Sequence, residues 1–353
     1  DKDAGIEQKD IQAAWVGTMF SGDTGRCLSE PLKLNYIPVT RVENMCATGS
    51  DAMRNAAYSV AAGVYDIVLA LGFDKLKDTG WAGLGDVPFP GTGRGLIGSQ
   101  GTSGPSMFAL LATAYFTKYK LSPQEGKRML AMIAVKNHRN GSLNPRAHFQ
   151  REITVDQAVN APMIAWPLGL FDCCGVSDGS AAAIITTPEI AKRIRDDYLL
   201  VKGFGVAAGG GPQGVIANDY DYLHIDEIVR SGKQAYTEAG IKNPRKEVDV
   251  AEVHDCFTIT EALICEDLGF TERGKYKQDI EAGTFNIEGE IAVNSDGGLK
   301  CFGHPVGATG VRMIYECYLQ LRGQAGERHL RAGPRAQRPY GDRARGGPPD
   351  RLP

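Results

Sequence analysis

The feature that most constrains the fold is a nearly continuous apolar run at residues 65–73. A strand that is apolar along its whole length is typical of a parallel sheet covered on both faces. Residues 37–42 are also apolar and β-branched, and between the two runs Met53, Ala56 and Val60 recur at helical spacing. This order of strand, helix and strand predicts an α/β layer fold.

Cys46 lies between the first of these strands and the helix, in the segment RVENMCATGS at residues 41–50. Unpaired backbone N–H groups and the positive end of a helix dipole favour a thiolate over a thiol at such a place. The alternative is a buried structural thiol, because most free cysteines behave as small hydrophobes. The segment alone therefore leaves a nucleophile and a core cysteine both open.

Composition narrows the classes of function. The chain has 353 residues, enough for one large α/β domain or two halves, and a net charge of −3, which predicts neither nucleic-acid nor membrane binding. No apolar run is long enough to span a bilayer. The eight cysteines include no C-x-x-C, so we expect no disulfide framework, no metal site, and a reducing, cytoplasmic location. The chain lacks an initiating Met and a signal peptide, and we expect its true start to be missing.

Periodicity predicts further elements along the chain. The predicted helices are 106–119, 123–137, 222–239, 258–268 and 311–321. The predicted strands are 11–19, 199–206, 248–253 and 291–294, together with a buried strand that follows the turn at 172–178. Residues 136–146 are polar and rich in turn formers, so we predict that the helix from 123 ends near 137.

Residues 74–167 form a long excursion between two strands, and excursions of this length usually serve a binding site. Ala-Thr-Gly recurs at 47–49 and 308–310, each time at a predicted helix start, which hints at internal duplication. From about residue 329 the chain is rich in Arg, Gly and Pro, and we predict a disordered or aberrant tail at 329–353.

Three reactive segments lie at the ends of predicted strands: Cys46, the sequence HDCF at 254–257, and the sequence GHP at 303–305. In open α/β sheets such ends meet at the binding site. A cysteine, a histidine that takes its proton, and a second acid/base group are sufficient for acyl transfer through a thioester.

Four segments resemble the thiolase superfamily: NMCATGS at 44–50, LFDCCGVSDGSAA at 170–182, HDCF at 254–257 and GHPVGATG at 303–310. The HDCF form, where many thiolases have Asn-Glu-Ala-Phe, is similar to the sterol-carrier-protein-type thiolases. The resemblance covers roughly residues 3–329. It implies two similar halves, each layered α-β-α-β-α, with a loop domain inserted in the first.

The resemblance also implies domain boundaries. The N-terminal half comprises 1–73 and 168–196, the inserted loop domain 74–167, and the C-terminal half 197–328. We expect the last strands of the C-terminal half to be missing, because no segment resembles the family's C-terminal glycine loop or its Cys-x-Gly motif.

The same resemblance implies a role for each motif residue. Cys46 resembles the nucleophile that carries the acyl group, and His304 the base that activates it. Cys256 resembles the second cysteine, which moves the proton at the α-carbon of the incoming acyl-CoA. His254 stands where other thiolases have Asn and is expected to help hold the thioester oxygen. CoA thioesters are the implied substrates, with no cofactor and no metal.

The resemblance therefore implies an acyltransferase, acetyl-CoA C-acyltransferase-like, that cleaves 3-ketoacyl-CoA or condenses acyl-CoAs in lipid metabolism. A homodimer is the expected assembly, with a zinc-ribbon/OB-fold protein as a possible partner. One alternative is a thiolase-fold aldolase, which does not need the nucleophile. Another is a non-catalytic acyl-CoA-binding or scaffold subunit, which the missing glycine loop favours.

Several other polar residues are weaker candidates. We predict that Cys173 and Cys174 are structural rather than metal ligands, because neighbouring strand residues point to opposite faces. Cys301 is expected to support the site without taking part in the reaction. We expect His138 and His148 at the surface or the substrate edge. The basic residues in and just after the polar segment 136–146 either contact the phosphates of CoA or form a solvated face: Lys136, Arg139, Arg146 and Arg151.

Overall fold

The computed structural model describes residues 3–80, 103–209 and 220–330. Its strands are β1 (Ala13–Gly17), β2 (Val39–Val42), β3 (Ile67–Lys75), β4 (Met163–Ala165), β5 (Leu168–Gly169), β6 (Asp178–Thr186), β7 (Val250–Ala251) and β8 (Ala292–Val293). Its helices are α1 (Arg26–Leu32), α2 (Thr48–Ala61), α3 (Gly104–Lys118), α4 (Pro123–Ser142), α5 (Val155–Val159), α6 (Pro188–Ile194), α7 (Asp226–Ala239), α8 (Pro244–Glu247), α9 (Thr258–Asp267), α10 (Tyr276–Glu281), α11 (Gly298–Phe302) and α12 (Val306–Leu321).

Four strands form the main sheet in the order β2-β1-β3-β6. β1 runs parallel to both β2 and β3, whereas β6 runs antiparallel to β3 from Ile67 opposite Thr186 to Lys75 opposite Asp178. Val68 and Ala70 on β3 are fully buried, as the apolar run predicted. The α/β fold class is confirmed. The antiparallel partner also brings the turn before β6 to the carboxyl end of β3.

Helices α2 and α12 approach each other unusually closely. A Cβ atom on Gly49 would lie 2.7 Å from the carbonyl oxygen of Gly307, and one on Gly72 would lie 2.0 Å from the same oxygen. Only glycine therefore lets the first turns of α2 and α12 meet over the end of β3. This packing sets the N-terminal ends of two helices side by side, one after Cys46 and the other after His304.

Helix α4 is longer than the sequence predicted, because it continues through the polar segment to Ser142. The prediction of a turn-rich segment from 136 is wrong for its first part. The side chains of Asn137 and Asn140 donate to buried acceptors outside the helix, at Asp255, Glu261 and the carbonyl of Asn294. Their polarity reflects these tertiary hydrogen bonds rather than a surface turn.

The strand predicted at 199–206 is absent from the described structure, which assigns no strand there. The amide of Phe204 instead donates to Glu238 on α7 at 2.9 Å, and Leu200 and Val201 remain exposed. The predicted strands 248–253 and 291–294 shorten to β7 and β8, which pair in parallel. In the ranges described, the sheet of the second half is therefore much smaller than the sheet of the first.

One apolar cluster contains residues both from the segment between β3 and β6 and from the part of the chain after residue 220. Leu111 on α3, Ile133 on α4, and Ile259 and Leu263 on α9 belong to the same buried cluster. The domain boundaries at 73, 167, 196 and 328 stay predictions. The predicted tail lies outside the described residues from 331 onwards. Within the ranges described, no helix is both long enough and apolar enough to cross a membrane.

Candidate active site

Three side chains predicted to act together do converge. The sulfur of Cys46 and one ring nitrogen each of His254 and His304 all lie within 4.8 Å of one another. Cys46 precedes α2, His254 follows β7, and His304 precedes α12, so each stands at the end of a strand or the start of a helix. Cys46 and His254 are partly exposed, whereas His304 is buried.

His304 is held by a hydroxyl in the first turn of the helix that follows it. Its Nδ1 lies 2.7 Å from Oγ1 of Thr309, and that hydroxyl donates to the carbonyl of Pro305 at 3.1 Å. If the Thr309 hydrogen is donated to Pro305, Nδ1 is the ring nitrogen that donates to Thr309, and we assign the proton there, which leaves Nε2 with its lone pair. Nε2 is buried and has no hydrogen-bond partner within the described ranges.

The surroundings of His304 favour its neutral form. Burial, and then the neighbouring His254 and Arg312, hold the pKa of His304 well below its ordinary value. A neutral imidazole with a free, buried Nε2 is a proton acceptor rather than a donor. The geometry therefore suits His304 to take a proton from a group placed beside Nε2.

His254 is packed edge-on against His304, with ring centroids 5.0 Å apart and an interplanar angle of 75°. Burial, and then the charge of Arg312, lower the pKa of His254 to about 4. His254 is therefore uncharged at neutral pH. A neutral imidazole donates one N–H hydrogen bond, which is the contact that a polarised thioester oxygen requires.

Cys46 differs from the sequence expectation in its protonation. The residue is partly exposed, yet burial of its thiol raises the pKa of Cys46 to about 11. Desolvation of the thiolate therefore outweighs the stabilisation expected from the start of α2. Burial therefore opposes the thiolate that the start of α2 was expected to favour, and a thiol of raised pKa needs a base to remove its proton.

The backbone around Cys46 is fixed by a short local network. The Thr48 hydroxyl accepts from the Asn44 amide at 2.9 Å and donates to the Met45 carbonyl at 2.6 Å. Met45 has a φ of 49°, which a residue with a side chain rarely adopts. Strain of this kind persists where surrounding contacts impose it, and it is common beside reactive groups.

Cys256 is a buried thiol at the start of α9. Its sulfur lies 3.6 Å from Oγ1 of Thr260, and burial raises its pKa well above the ordinary value. The thiols of Cys174 and Cys46 lie close enough to raise that pKa further. Cys256 is thus protonated at neutral pH and belongs to the same group of thiols as Cys46.

Cys174 takes a larger part in this centre than the sequence predicted. Its backbone amide donates to the Cys256 carbonyl at 2.9 Å, and the adjacent Cys173 pairs with Phe257 across a β-bridge. Burial raises the pKa of Cys174 to about 12. The segment before β6 therefore braces the HDCF sequence, and the interpretation of the two cysteines as structural fits these contacts.

A buried polar network holds the HDCF sequence from behind. The carboxylate of Asp255 accepts from the Leu299 amide at 2.6 Å and from the side chain of Asn137 at 2.8 Å. Burial, and then the charge of Glu261, raise the pKa of Asp255 to about 6. Lys136 lies 3.0 Å from Glu261 and donates to the carbonyl of Val293 at 2.7 Å.

The basic residues proposed for CoA phosphates have different surroundings. Lys136 is only 5 % exposed and bound in this network, so the phosphate role is wrong for it. Arg139 pairs with Glu288 at 2.7 Å, and Arg146 stacks over the ring of Tyr315 at 4.9 Å. A contact with the phosphates of CoA stays a prediction for Arg139, Arg146 and Arg151.

The two loop histidines differ in exposure. His138 is buried, and its Nδ1 lies 3.0 Å from the carbonyl oxygen of Arg151, so its predicted place at the surface is wrong. His148 is exposed, as predicted, and its Nδ1 lies 2.7 Å from the hydroxyl of Ser177.

Three further residues were missed by the sequence analysis: Thr309, Asp74 and Lys300. Asp74 is a carboxylate at the end of an otherwise apolar strand, and that contrast was a usable signal. Lys300 is 2 % exposed, and its ammonium group has no hydrogen-bond partner in the part of the chain that the structure describes. Its charge lowers the pKa values of Asp255 and Cys174, which places it near the centre.

Comparison with known proteins gives consistent matches. Residues 2–189 match the family described as Thiolase, N-terminal domain, and residues 213–337 match Thiolase C-terminal domain-like. An acetyl-CoA acetyltransferase from Methanothermobacter thermautotrophicus is 38 % identical over 93 % of this chain and 85 % of its own. Sterol carrier protein 2 from Gallus gallus is 32 % identical over 95 % of this chain and 62 % of its own. Among solved structures, the Ltp2-ChsH2(DUF35) aldolase aligns with a TM-score of 0.79 at 24 % identity, over 92 % of this chain and 84 % of that one.

Proposed function

Because the chain belongs to the thiolase superfamily, we propose that it is an acyltransferase that forms an acyl-cysteine intermediate on Cys46. It cleaves a 3-ketoacyl-CoA or condenses two acyl-CoAs, in the manner of an acetyl-CoA C-acyltransferase. The observation that carries the proposal is the convergence of Cys46, His254 and His304 within 4.8 Å.

In the cleavage direction, the sulfur of Cys46 attacks the 3-keto carbonyl while Nε2 of His304 takes the thiol proton. The high pKa of Cys46 and the low pKa of His304 support a proton transfer that accompanies attack, rather than a resting thiolate–imidazolium pair. The Cα–Cβ bond then breaks, which leaves an acyl group on Cys46 and an enolate on the departing acyl-CoA.

Cys256 donates its proton to the α-carbon of that enolate. Its raised pKa keeps the thiol protonated until a strong base forms beside it, which suits an acid. His254 donates a hydrogen bond to the enolate oxygen, and fixed donors of this kind stabilise such charge by several kcal/mol in order of magnitude. The thiol of CoA finally gives its proton to the Cys256 thiolate and attacks the acyl-cysteine; the Cys46 sulfur leaves, recovers its proton from His304, and a shortened acyl-CoA is released. Condensation uses the same steps in reverse.

The proposal includes a homodimer, the binding of CoA and its thioesters without a separate cofactor, and a zinc-ribbon/OB-fold protein partner. The open edge of β2 in the described sheet supports contact with a second copy. The name of the similar Ltp2-ChsH2(DUF35) aldolase contains a second component, which supports a search for a partner of this chain. Light scattering of the purified chain tests the homodimer. The cytoplasmic location and the role in lipid metabolism stay predictions.

The first test of the function is the intact mass of the protein after a short incubation with acetyl-CoA or acetoacetyl-CoA. We expect the wild type to gain one acetyl group and Cys46→Ala to gain none. Cys27→Ala, which removes a thiol on α1, serves as the matched control and should be acetylated like the wild type. If neither the wild type nor the control gains mass, the acyl-transfer proposal fails, and an acyl-CoA-binding or scaffold role is the better account.

A further inference from the structure

We infer that Cys46, His254 and His304 also form a binding site for a thiophilic divalent cation such as Zn²⁺, which occupies the centre when no acyl group is on Cys46. This metal site goes beyond the proposed acyl transfer and contrasts with the sequence expectation of no metal. Among the described residues, these three side chains are the group of His, Cys, Asp or Glu whose ligand atoms come close enough together to hold a metal ion.

The separations suit a metal after small side-chain movements. In a tetrahedral zinc site, a Zn–S bond of about 2.3 Å and Zn–N bonds of about 2.0–2.1 Å put the ligand atoms roughly 3.6 Å apart. The three atoms here already lie within 4.8 Å of one another. The proposal requires the side chain of Cys46 and the ring of His254 to rotate and close the difference.

His304 is prepared for coordination by the contact that also prepares it as a base. Its Nδ1 proton is held by Thr309 at 2.7 Å, which leaves the lone pair of Nε2 as the donor to a metal. Metal-bound histidines almost always donate the other ring N–H to an oxygen in this way, and that contact fixes the ring. Nε2 is also buried and unpartnered among the residues described, so no existing hydrogen bond has to be broken.

The donor set selects the type of cation. One sulfur and two imidazole nitrogens favour Zn²⁺ over Mg²⁺ or Ca²⁺, which prefer oxygen ligands. Coordination replaces the proton of the Cys46 thiol, which is released to solvent. Three protein ligands leave a fourth position for water or for the thiol of CoA. A bound metal occupies the sulfur and the Nε2 lone pair that acyl transfer needs, so metal and acyl group exclude each other.

The test uses Co²⁺ as a spectroscopic substitute for Zn²⁺, with the full chain, a phosphine reductant and any affinity tag removed. We expect one equivalent of Co²⁺ to give a thiolate-to-cobalt charge-transfer band and the intense visible bands of four-coordinate cobalt, and Zn²⁺ to abolish both. Cys46→Ser should lose the charge-transfer band. His304→Asn and His254→Asn should each weaken binding by at least about tenfold, and Thr309→Val by about tenfold.

The control is Cys27→Ala, which should keep both bands, with circular dichroism used to check that each variant is folded. The inference is overturned if the folded wild type gives no charge-transfer band, or if Cys46→Ser keeps it. The two proposals fail separately. A cobalt charge-transfer band without acetylation by acetyl-CoA supports the metal site and contradicts the acyl transfer. Acetylation without a charge-transfer band supports the acyl transfer and contradicts the metal site.

Discussion

At the scale of single residues, burial makes the Cys46 thiol a weaker acid and the His304 imidazole a weaker base. Burial raises the pKa of Cys46 to about 11 and holds the pKa of His304 well below its usual range. Both changes oppose ionisation of the resting pair. Thiol attack therefore depends on the position of the Nε2 lone pair, which is fixed by Thr309.

The first prediction concerns the reactivity of Cys46 in the free protein. The raised pKa means that the thiolate fraction is small at neutral pH and grows as the pH approaches about 11. We expect the alkylation rate of Cys46 by iodoacetamide to rise by about tenfold per pH unit between pH 7 and 10. Peptide-level mass spectrometry separates Cys46 from the other thiols. A rate that stops rising below about pH 8 would mean that the helix start does stabilise the thiolate.

The second prediction concerns Thr309. Thr309→Val keeps the volume of the side chain but removes the oxygen that accepts from Nδ1 of His304. We expect the rate of Cys46 acetylation to fall by roughly tenfold with little change in KM, which is less than the 10²–10⁴ typical of losing a base outright. Thr309→Ser keeps the hydroxyl and should restore most of the rate. Equal rates in all three proteins would show that the ring needs no such support.

The convergence of Cys46, His254 and His304 could be predicted, because each stands at the end of a strand or the start of a helix, and such ends meet at the binding site of an open α/β sheet. The ionisation of these side chains could not be predicted in the same way. The pKa of Cys46 depends on how completely its thiol is buried, and its thiol neighbours Cys174 and Cys256 belong to segments distant in sequence. Sequence spacing carries no measure of that enclosure.

At the scale of elements, the centre depends on the junction of β1, β3 and α12. Asp74 at the end of β3 is fully buried, and its carboxylate accepts from the Thr18 hydroxyl at 2.9 Å and from the Gly307 amide at 2.6 Å. The second contact is made to the first turn of α12, where the helix dipole also favours a negative charge. One carboxylate thus anchors the helix that follows His304.

The third prediction is that Asp74→Asn destabilises the protein by about 2–3 kcal/mol, because hydrogen bonds to a buried charged group are worth about 1.5–3 kcal/mol each. The free energy of unfolding in urea measures the loss. Asp78 follows the end of β3, and its side chain is 60 % exposed beside Lys75. Asp78→Asn is therefore the matched control and should leave the unfolding midpoint unchanged. Similar losses in both variants would mean that the junction does not depend on Asp74.

The elements with strong periodicity were predicted well, and the errors have a common origin. β1, β3, α2 and α9 lie where apolar runs and helical spacing placed them. The end of α4 was predicted too early because asparagines such as Asn137 and Asn140 are common in turns. Here their side chains donate hydrogen bonds to buried acceptors outside the helix. Local pattern cannot distinguish a polar residue that faces water from one that faces a buried acceptor.

At the scale of the whole molecule, a buried ion pair joins the segment between β3 and β6 to the second half. Lys136 on α4 and Glu261 on α9 are 3.0 Å apart, with side chains 4 % and 0 % exposed. Tyr276 and Asn294 donate to the same carboxylate at 2.8 Å. Because Asn137 bridges Glu261 and Asp255, this network also sets the position of the HDCF sequence.

The fourth prediction follows from the cost of an unpaired buried charge. Lys136→Met leaves the Glu261 carboxylate buried without its cation, and we expect a loss of about 3–5 kcal/mol in the free energy of unfolding. The double variant Lys136→Met/Glu261→Gln removes both charges and should recover part of that loss, so the two changes are not additive. Urea unfolding of both single variants and the double variant measures the coupling.

Helix α4 itself supplies the control. Arg139 lies three residues after Lys136 and pairs with Glu288 at 2.7 Å, but both side chains are about half exposed. Solvent screening makes such a pair weak, so Arg139→Met should change the unfolding midpoint little. If it destabilises the protein as much as Lys136→Met does, the effect belongs to helix α4 as a whole. If the double variant loses the sum of the two single losses, Lys136 and Glu261 are not energetically coupled, and the HDCF sequence must be held by the segment before β6 that contains Cys174.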